Sequence, residues 1–152
     1  IGSTLLMAEL FLLLVIYQVK HFLCDFPLQT SYMLGKFKES GWAKPLAAHA
    51  GVHALFTYLI SLAFGADWFL AFLLAYFDFV VHFTMDRVKA SPNLMGRWKA
   101  LSPNEYQGAI QSPELFRKAL RGNQLFWWAL GIDQAVHHLT HYAIIAVLVY
   151  NA

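Results

Sequence analysis

Apolar residues run along the chain in four blocks, each close to the roughly 20 residues that a helix needs to cross a bilayer. The blocks cover about residues 5–26, 45–64, 68–86 and 125–150. Their ends carry matching punctuation: Pro27 closes the first, Pro45 suits the first turn of the second, Gly65-Ala66-Asp67 turns tightly into the third, and Gly122 precedes the fourth. The pattern predicts an all-α, integral membrane four-helix bundle forming a single transmembrane domain over residues 1–152, with a loop at about 90–124 between helices three and four. The first block lacks the basic start and small-residue cleavage site of a secretory signal, so it is expected to be retained.

Composition sharpens this. Of 152 residues 59% are hydrophobic and 13% charged, and the mean hydropathy is +0.48. That balance excludes an ordinary water-soluble domain. The single cysteine, Cys24, excludes a disulfide framework and a cysteine-only zinc cluster within one copy.

The net charge of +2 says little, but its placement says more. Lys20, Lys36, Lys38 and Lys44 lie around the first connection, and Arg87, Lys89, Arg97, Lys99, Arg117, Lys118 and Arg121 around the third. The turn at 65–67 and both termini carry no Lys or Arg. The positive-inside rule then puts connections one and three in the cytoplasm and both termini outside. Within the third connection, Ser102-Pro103-Asn104-Glu105 and Ser112-Pro113-Glu114 each have the cap, proline and acid of a helix start. The second start sets Leu115, Phe116, Ala119 and Leu120 beside Arg117, Lys118 and Arg121, which suits either a segment on the membrane surface or a solvated basic cap. Trp127 and Trp128 read as an interfacial belt.

Polar residues inside the spans carry the chemistry. Each ionisable group there costs about 2.5–3.5 kcal/mol on insertion scales and needs a partner. Four-residue spacings supply partners on every helix: His21 with Asp25, His49 with His53, His82 with Asp86, and Asp133 with His137. On a helix, such a spacing places both members on one face. Each pair lies toward the cytoplasmic end of its helix, so the four faces can converge at one depth. Asp78 precedes His82 by four residues and His141 follows His137 by four, while Gln134 and His138 are turned aside as candidates for an outer shell. Any one pair alone reads equally as a hydrogen-bonded contact that holds two helices together. Four at one depth point to a shared cation.

Histidine and aspartate without thiolate form a ligand set that suits zinc, iron or manganese, as one ion with an outer shell or as two ions. The candidate ligands are His21, Asp25, His49, His53, Asp78, His82, Asp86, Asp133, His137 and His141. Glu9 lies away from this slab and reads as facing solvent or a partner. The run His21-Phe22-x-x-Asp25 echoes His82-Phe83-x-x-Asp86, as if the chain were two related helical hairpins.

The motifs His21-Phe22-x-x-Asp25-Phe26-x-x-Gln29, His49-x-x-x-His53, His82-x-x-x-Asp86-x-x-Lys89 and Asp133-Gln134-x-x-His137 resemble an uncharacterised family of small polytopic membrane proteins of bacteria and phages, grouped as a domain of unknown function. The resemblance implies an integral membrane protein of the bacterial inner membrane. It favours Asp86 over Asp78 as the partner of His82, a choice that spacing leaves open, and it adds Lys89 and Gln29 as candidates.

Three function classes remain. The first is a metal-dependent hydrolase of a lipid or lipid-linked phosphate at the cytoplasmic leaflet. There Asp25 or Asp133 would shuttle a proton, and Lys89 or the third-loop cations would hold the phosphate. Membrane hydroxylases and desaturases are similar in part, through His49-x-x-x-His53 and His137-His138-x-x-His141, but carry more histidine boxes. The second class is a transporter of protons or a divalent cation, for which so small a chain would need a homodimer. The third is a non-catalytic assembly subunit, with the 16% aromatic content serving contacts to membrane lipids and partners. Nucleic-acid binding has no support, since topology explains the basic residues. No serine elbow, HExxH box, P-loop or dinucleotide fingerprint is present.

Overall fold

In a computed structural model, which describes residues 2–91, 94 and 111–151, the chain is helical, with no strand among the described residues. The helices are α1 (Gly2–Asp25), α2 (Ala43–Ala63), α3 (Trp68–Ala90), α4 (Pro113–Arg121) and α5 (Gln124–Tyr150), with a short 3₁₀ helix at Met33–Phe37. The expected helix start at 102–105 lies outside the described residues.

Local chemistry explains the boundaries. The turn between α2 and α3 uses Gly65 at φ 87°, a backbone region that costs glycine nothing. Asp67 then caps α3, its Oδ1 accepting from the Phe69 and Leu70 amides at 2.8 and 2.9 Å. Asn123 caps α5 by accepting from the Phe126 amide at 3.2 Å. α4 begins at the expected proline, with Glu114 in its first turn and Lys118 and Arg121 in its last, as the helix dipole prefers. α3 runs about a turn beyond its expected end, carrying Arg87 and Lys89 to the C-terminus where cations are favoured.

Among the described residues, three helices are long and apolar enough to cross a membrane: 20 residues at Leu6–Asp25, 21 at Ala43–Ala63 and 23 at Trp68–Ala90. This differs from the four expected. α5, at 27 residues, has the length, but Asp133, Gln134, His137, His138 and His141 crowd its first half and lower its hydropathy.

Packing inverts the soluble pattern. Phe11, Val15, Val19 and Phe22 of α1, Phe69, Phe72 and Tyr76 of α3, and Leu139 of α5 are exposed, while aspartates and histidines are buried. So much outward apolar surface is what a helix presents to lipid. α2 and α3 form a close antiparallel hairpin, α5 packs against α3 and α1, and α1 touches α2. The far half of the interior is apolar: Leu13, Tyr17, Leu74, Ile144, Ile145 and Leu148 form one cluster.

The 3₁₀ helix between α1 and α2 was not expected. It lies against α2 so closely that a Cβ on Gly35 would sit 2.9 Å from Pro45 Cγ, and the proline ring has little freedom to yield. Gly35→Ala should therefore destabilise the protein by about 1–3 kcal/mol, measured as a lowered Tm in detergent. An unchanged Tm would show that the segment is not held against α2.

Candidate metal centre

Reading down the buried faces, α2 presents His49, His53, Thr57 and Ser61, α3 presents Asp86, His82 and Asp78, and α5 presents Asp133, His137 and His141. Each set is spaced by four residues, so each forms a stripe along one side of its helix. α1 adds Lys20, His21 and Asp25 from its last turns. Nine of the ten candidate ligands thus face one another across the interior, in three groups whose donor atoms approach within 4.8 Å: His21, Asp25, His53 and His82; Asp78, His82 and His141; Asp86, Asp133 and His137. His49 belongs to none of the three and lies between Asp25 and Asp86.

Two of these groups already contain cations. The Lys20 ammonium donates to Asp78 Oδ2 at 2.5 Å and lies 3.4 Å from His141 Nε2. Thr57 donates to the same carboxylate oxygen at 2.5 Å. In the group nearest the connections, Lys36 reaches from the 3₁₀ helix to Asp86 Oδ2 at 2.7 Å. Lys89 bonds Asp133 Oδ2 at 2.7 Å and lies 3.8 Å from Asp86. An ammonium stands beside a carboxylate in both, where a metal ion would meet repulsion.

The remaining group differs. Asp25 has no lysine or arginine ion partner among the described residues, and it faces imidazoles: His53 Nε2 at 3.0 Å, His21 Nε2 at 3.2 Å and His49 Nε2 at 3.5 Å. His82 donates from Nδ1 to Asp78 Oδ1 at 2.9 Å, and its Nε2 is buried without a partner among the described residues. His21 is arranged likewise. Its Nε2 meets Gln134 Oε1 at 2.8 Å, and because the Gln134 amide nitrogen is turned to Asp133 at 3.3 Å, the oxygen must accept and His21 Nε2 must donate. That leaves the His21 Nδ1, which is buried and unpartnered. A ring nitrogen fixed on an acceptor, with the other left bare, is how a metal-ligating imidazole is held.

Several expectations change. The carboxylate beside His82 is that of Asp78; Asp86 instead faces His49 at 3.2 Å and His137 at 3.4 Å. Lys89, expected to hold phosphate, is engaged by two carboxylates, and Asp133, expected as a proton shuttle, is buried in the same ion pair. The His21 and His82 echoes also differ, since His21 pairs with the aspartate after it and His82 with the one before.

Lys20 and Lys36, each 3% exposed, read in the sequence as loop cations. Two of the four basic residues near the first connection therefore balance charge inside and do not face solvent. Lys20 lies within the apolar block beside His21, and Thr57 extends the His49–His53 spacing by one step; both were available as signals. The pairing of Lys36 with Asp86, fifty positions apart, left none.

The fold and its site define a helical protein with apolar faces outward around a histidine- and aspartate-lined core. A family model described as Protein of unknown function (DUF3307) matches residues 10–152, and the chain belongs to that family. No curated protein and no solved structure matches it.

Removing one member of a buried ion pair strands the other, at about 3–5 kcal/mol. Lys20→Met should lower the Tm accordingly, and adding Asp78→Asn should recover much of the loss. Equal Tm values for the wild type and Lys20→Met would rule out this pair as a structural requirement.

Proposed function

We propose that the chain is a membrane-embedded metalloprotein in which His21, Asp25, His53 and His82 hold one divalent transition metal ion, zinc, iron or manganese, and that it hydrolyses a lipid-linked phosphoester. The observation that carries the metal reading is the isolation of Asp25. Among the described residues, Asp78, Asp86 and Asp133 each have a lysine, and Asp25 has only imidazoles. With the imidazoles neutral, four carboxylates against three ammonium groups leave one negative charge in a low-dielectric interior, and a cation at Asp25 would answer it. The same accounting favours one ion over two.

The four-helix arrangement completes the reading. α5 acts as the fourth span with its polar stripe inward, since Asp133, His137 and His141 are buried while Ile132 and Leu139 are exposed. The exposed cations Lys38, Lys44, Arg117, Lys118 and Arg121 favour connections one and three in the cytoplasm.

A bound ion supplies Lewis acidity, acidifying a water and polarising a phosphoryl oxygen. Four protein ligands fill a tetrahedron, so an ion that takes five or six ligands keeps positions open for substrate. In the hydrolysis, a water oxygen bonds to phosphorus, the ester P–O bond breaks, and one water proton goes to the departing alcohol. Asp25, His49 and Asp86 form a chain that can carry protons toward Lys89: His49 Nε2 lies 3.5 Å from Asp25 and 3.2 Å from Asp86, and the Lys89 side chain is 28% exposed. Transport is less well supported, because the polar stripes end at an apolar cluster.

Elemental analysis of detergent-purified protein should find close to one transition metal per chain. Asp25→Asn, His53→Ala and His82→Ala should each reduce it below about a tenth. His137→Ala, in the lysine-compensated group, should leave it in place, and Asp78→Asn should weaken affinity by about 10–100-fold. Folded protein without metal, or loss on His137→Ala equal to that on His82→Ala, would end this reading.

A further inference from the structure

We infer that the substrate reaches the centre sideways from the bilayer, through a polar seam between α1 and α5 that receives the phosphodiester headgroup of an anionic lipid. The inference rests on the metal reading above. On α1 the outward residues Val15, Val19 and Phe22 are apolar and exposed, yet Gln18, among them, is polar and also exposed. It lies well inside the apolar stretch Leu6–Asp25. Across the groove, α5 offers His138 and Gln134, both partly exposed, next to the lipid-facing Leu139.

These polar groups lead inward. Gln18 Nε2 lies 3.3 Å from His138 Nδ1, the His138 ring centroid is 5.1 Å from that of His21, and Gln134 is bonded to His21 itself. A glutamine and a histidine facing hydrocarbon carry a desolvation cost that their single mutual contact only partly offsets. A polar ligand at the seam would offset the rest. The alternative approach, from the connections, is obstructed by the Lys36–Asp86 and Lys89–Asp133 pairs.

Charge selects the ligand. With the imidazoles neutral and one divalent ion added to four carboxylates and three ammonium groups, the core carries one net positive charge. A phosphodiester brings one negative charge, and its oxygens can accept hydrogen bonds from the Gln18 amide and the His138 ring. Free phosphate offers similar oxygens but lacks the acyl chains that partition a ligand to this depth.

The test uses the manganese(II)-loaded protein in maltoside detergent, which contains no phosphorus. Dioleoyl phosphatidylglycerol or, in a second arm, inorganic phosphate at equal concentration is added, and phosphorus-31 coupling to the metal is read by electron–nuclear double resonance. The lipid should give a coupling that inorganic phosphate does not. Gln18→Leu/His138→Leu should keep its metal, with a Tm equal to or above that of the wild type, but require at least tenfold more lipid. Metal bound with no lipid coupling, equal coupling from inorganic phosphate, or an undiminished double variant would each overturn the inference alone. A change of the double variant from one oligomeric state to another in light scattering would also overturn it, by making the seam a contact between copies. Failure of the wild type to bind metal would instead remove the reading beneath it.

Discussion

Ionic charge inside an apolar shell is the constraint on which the structure turns. A carboxylate in such a place must find a cation or a set of hydrogen-bond donors, because its desolvation alone costs several kcal/mol. Asp78, Asp86 and Asp133 find lysines from three different segments: Lys20 on α1, Lys36 on the 3₁₀ helix and Lys89 on α3. Each pair ties a carboxylate to a distant part of the chain or to a neighbouring helix. The constraint also explains why the first connection is ordered: Lys36 reaches Asp86 only if Gly35 lets the segment approach Pro45.

Such pairs do not make a protein stable in themselves, since well-packed apolar residues serve as well or better. Their presence calls for another explanation, and the centre supplies one. Asp78 fixes the His82 ring by accepting from Nδ1, while Lys20 and Thr57 fix Asp78. The ion pair is therefore a support, reaching the donor set through one histidine. Gln134 does the same for His21 from α5. In the proposed metal site, side chains held this way would be positioned before an ion arrives, which is the condition for tight and geometrically selective coordination.

What the sequence disclosed follows from helical periodicity. Four-residue spacing shows which residues share a face, so the inward stripes of all four long helices were legible from His21/Asp25, His49/His53, His82/Asp86 and Asp133/His137. Spacing is silent about partners on other helices. The same rule that placed Asp86 on the His82 face placed Asp78 there too, and the choice depended on Lys36, His49 and His137 drawing Asp86 away. Lysines misled for a related reason. Near a connection, a basic residue reads as a topological marker, and only the presence of an unmatched carboxylate opposite turns Lys20 and Lys36 into internal counter-ions. The expected fourth span was the converse case: its inward polar stripe, so plain as a motif, keeps α5 out of the set of helices apolar enough to cross a membrane.

The vertical order of the interior bears on what the centre can do. From the connections inward come the Asp86 and Asp133 network, then the Asp25 group, then Asp78 with Lys20 and Thr57, and beyond Ser61 an apolar cluster of Leu13, Leu74, Ile144, Ile145 and Leu148. A conduit needs polar groups or water along its whole length, since a bare ion gains nothing from aliphatic walls. This column is polar through part of its length and then stops. Moving an ion past the cluster would require those side chains to separate and admit water, losing the packing between them. The proposed reaction centre would need no such opening: its ion would stay, and only substrate, water and protons would move. The groups suited to that traffic, Gln18 and His138 at the side and Lys89 at the end, all lie on the near side of the apolar cluster.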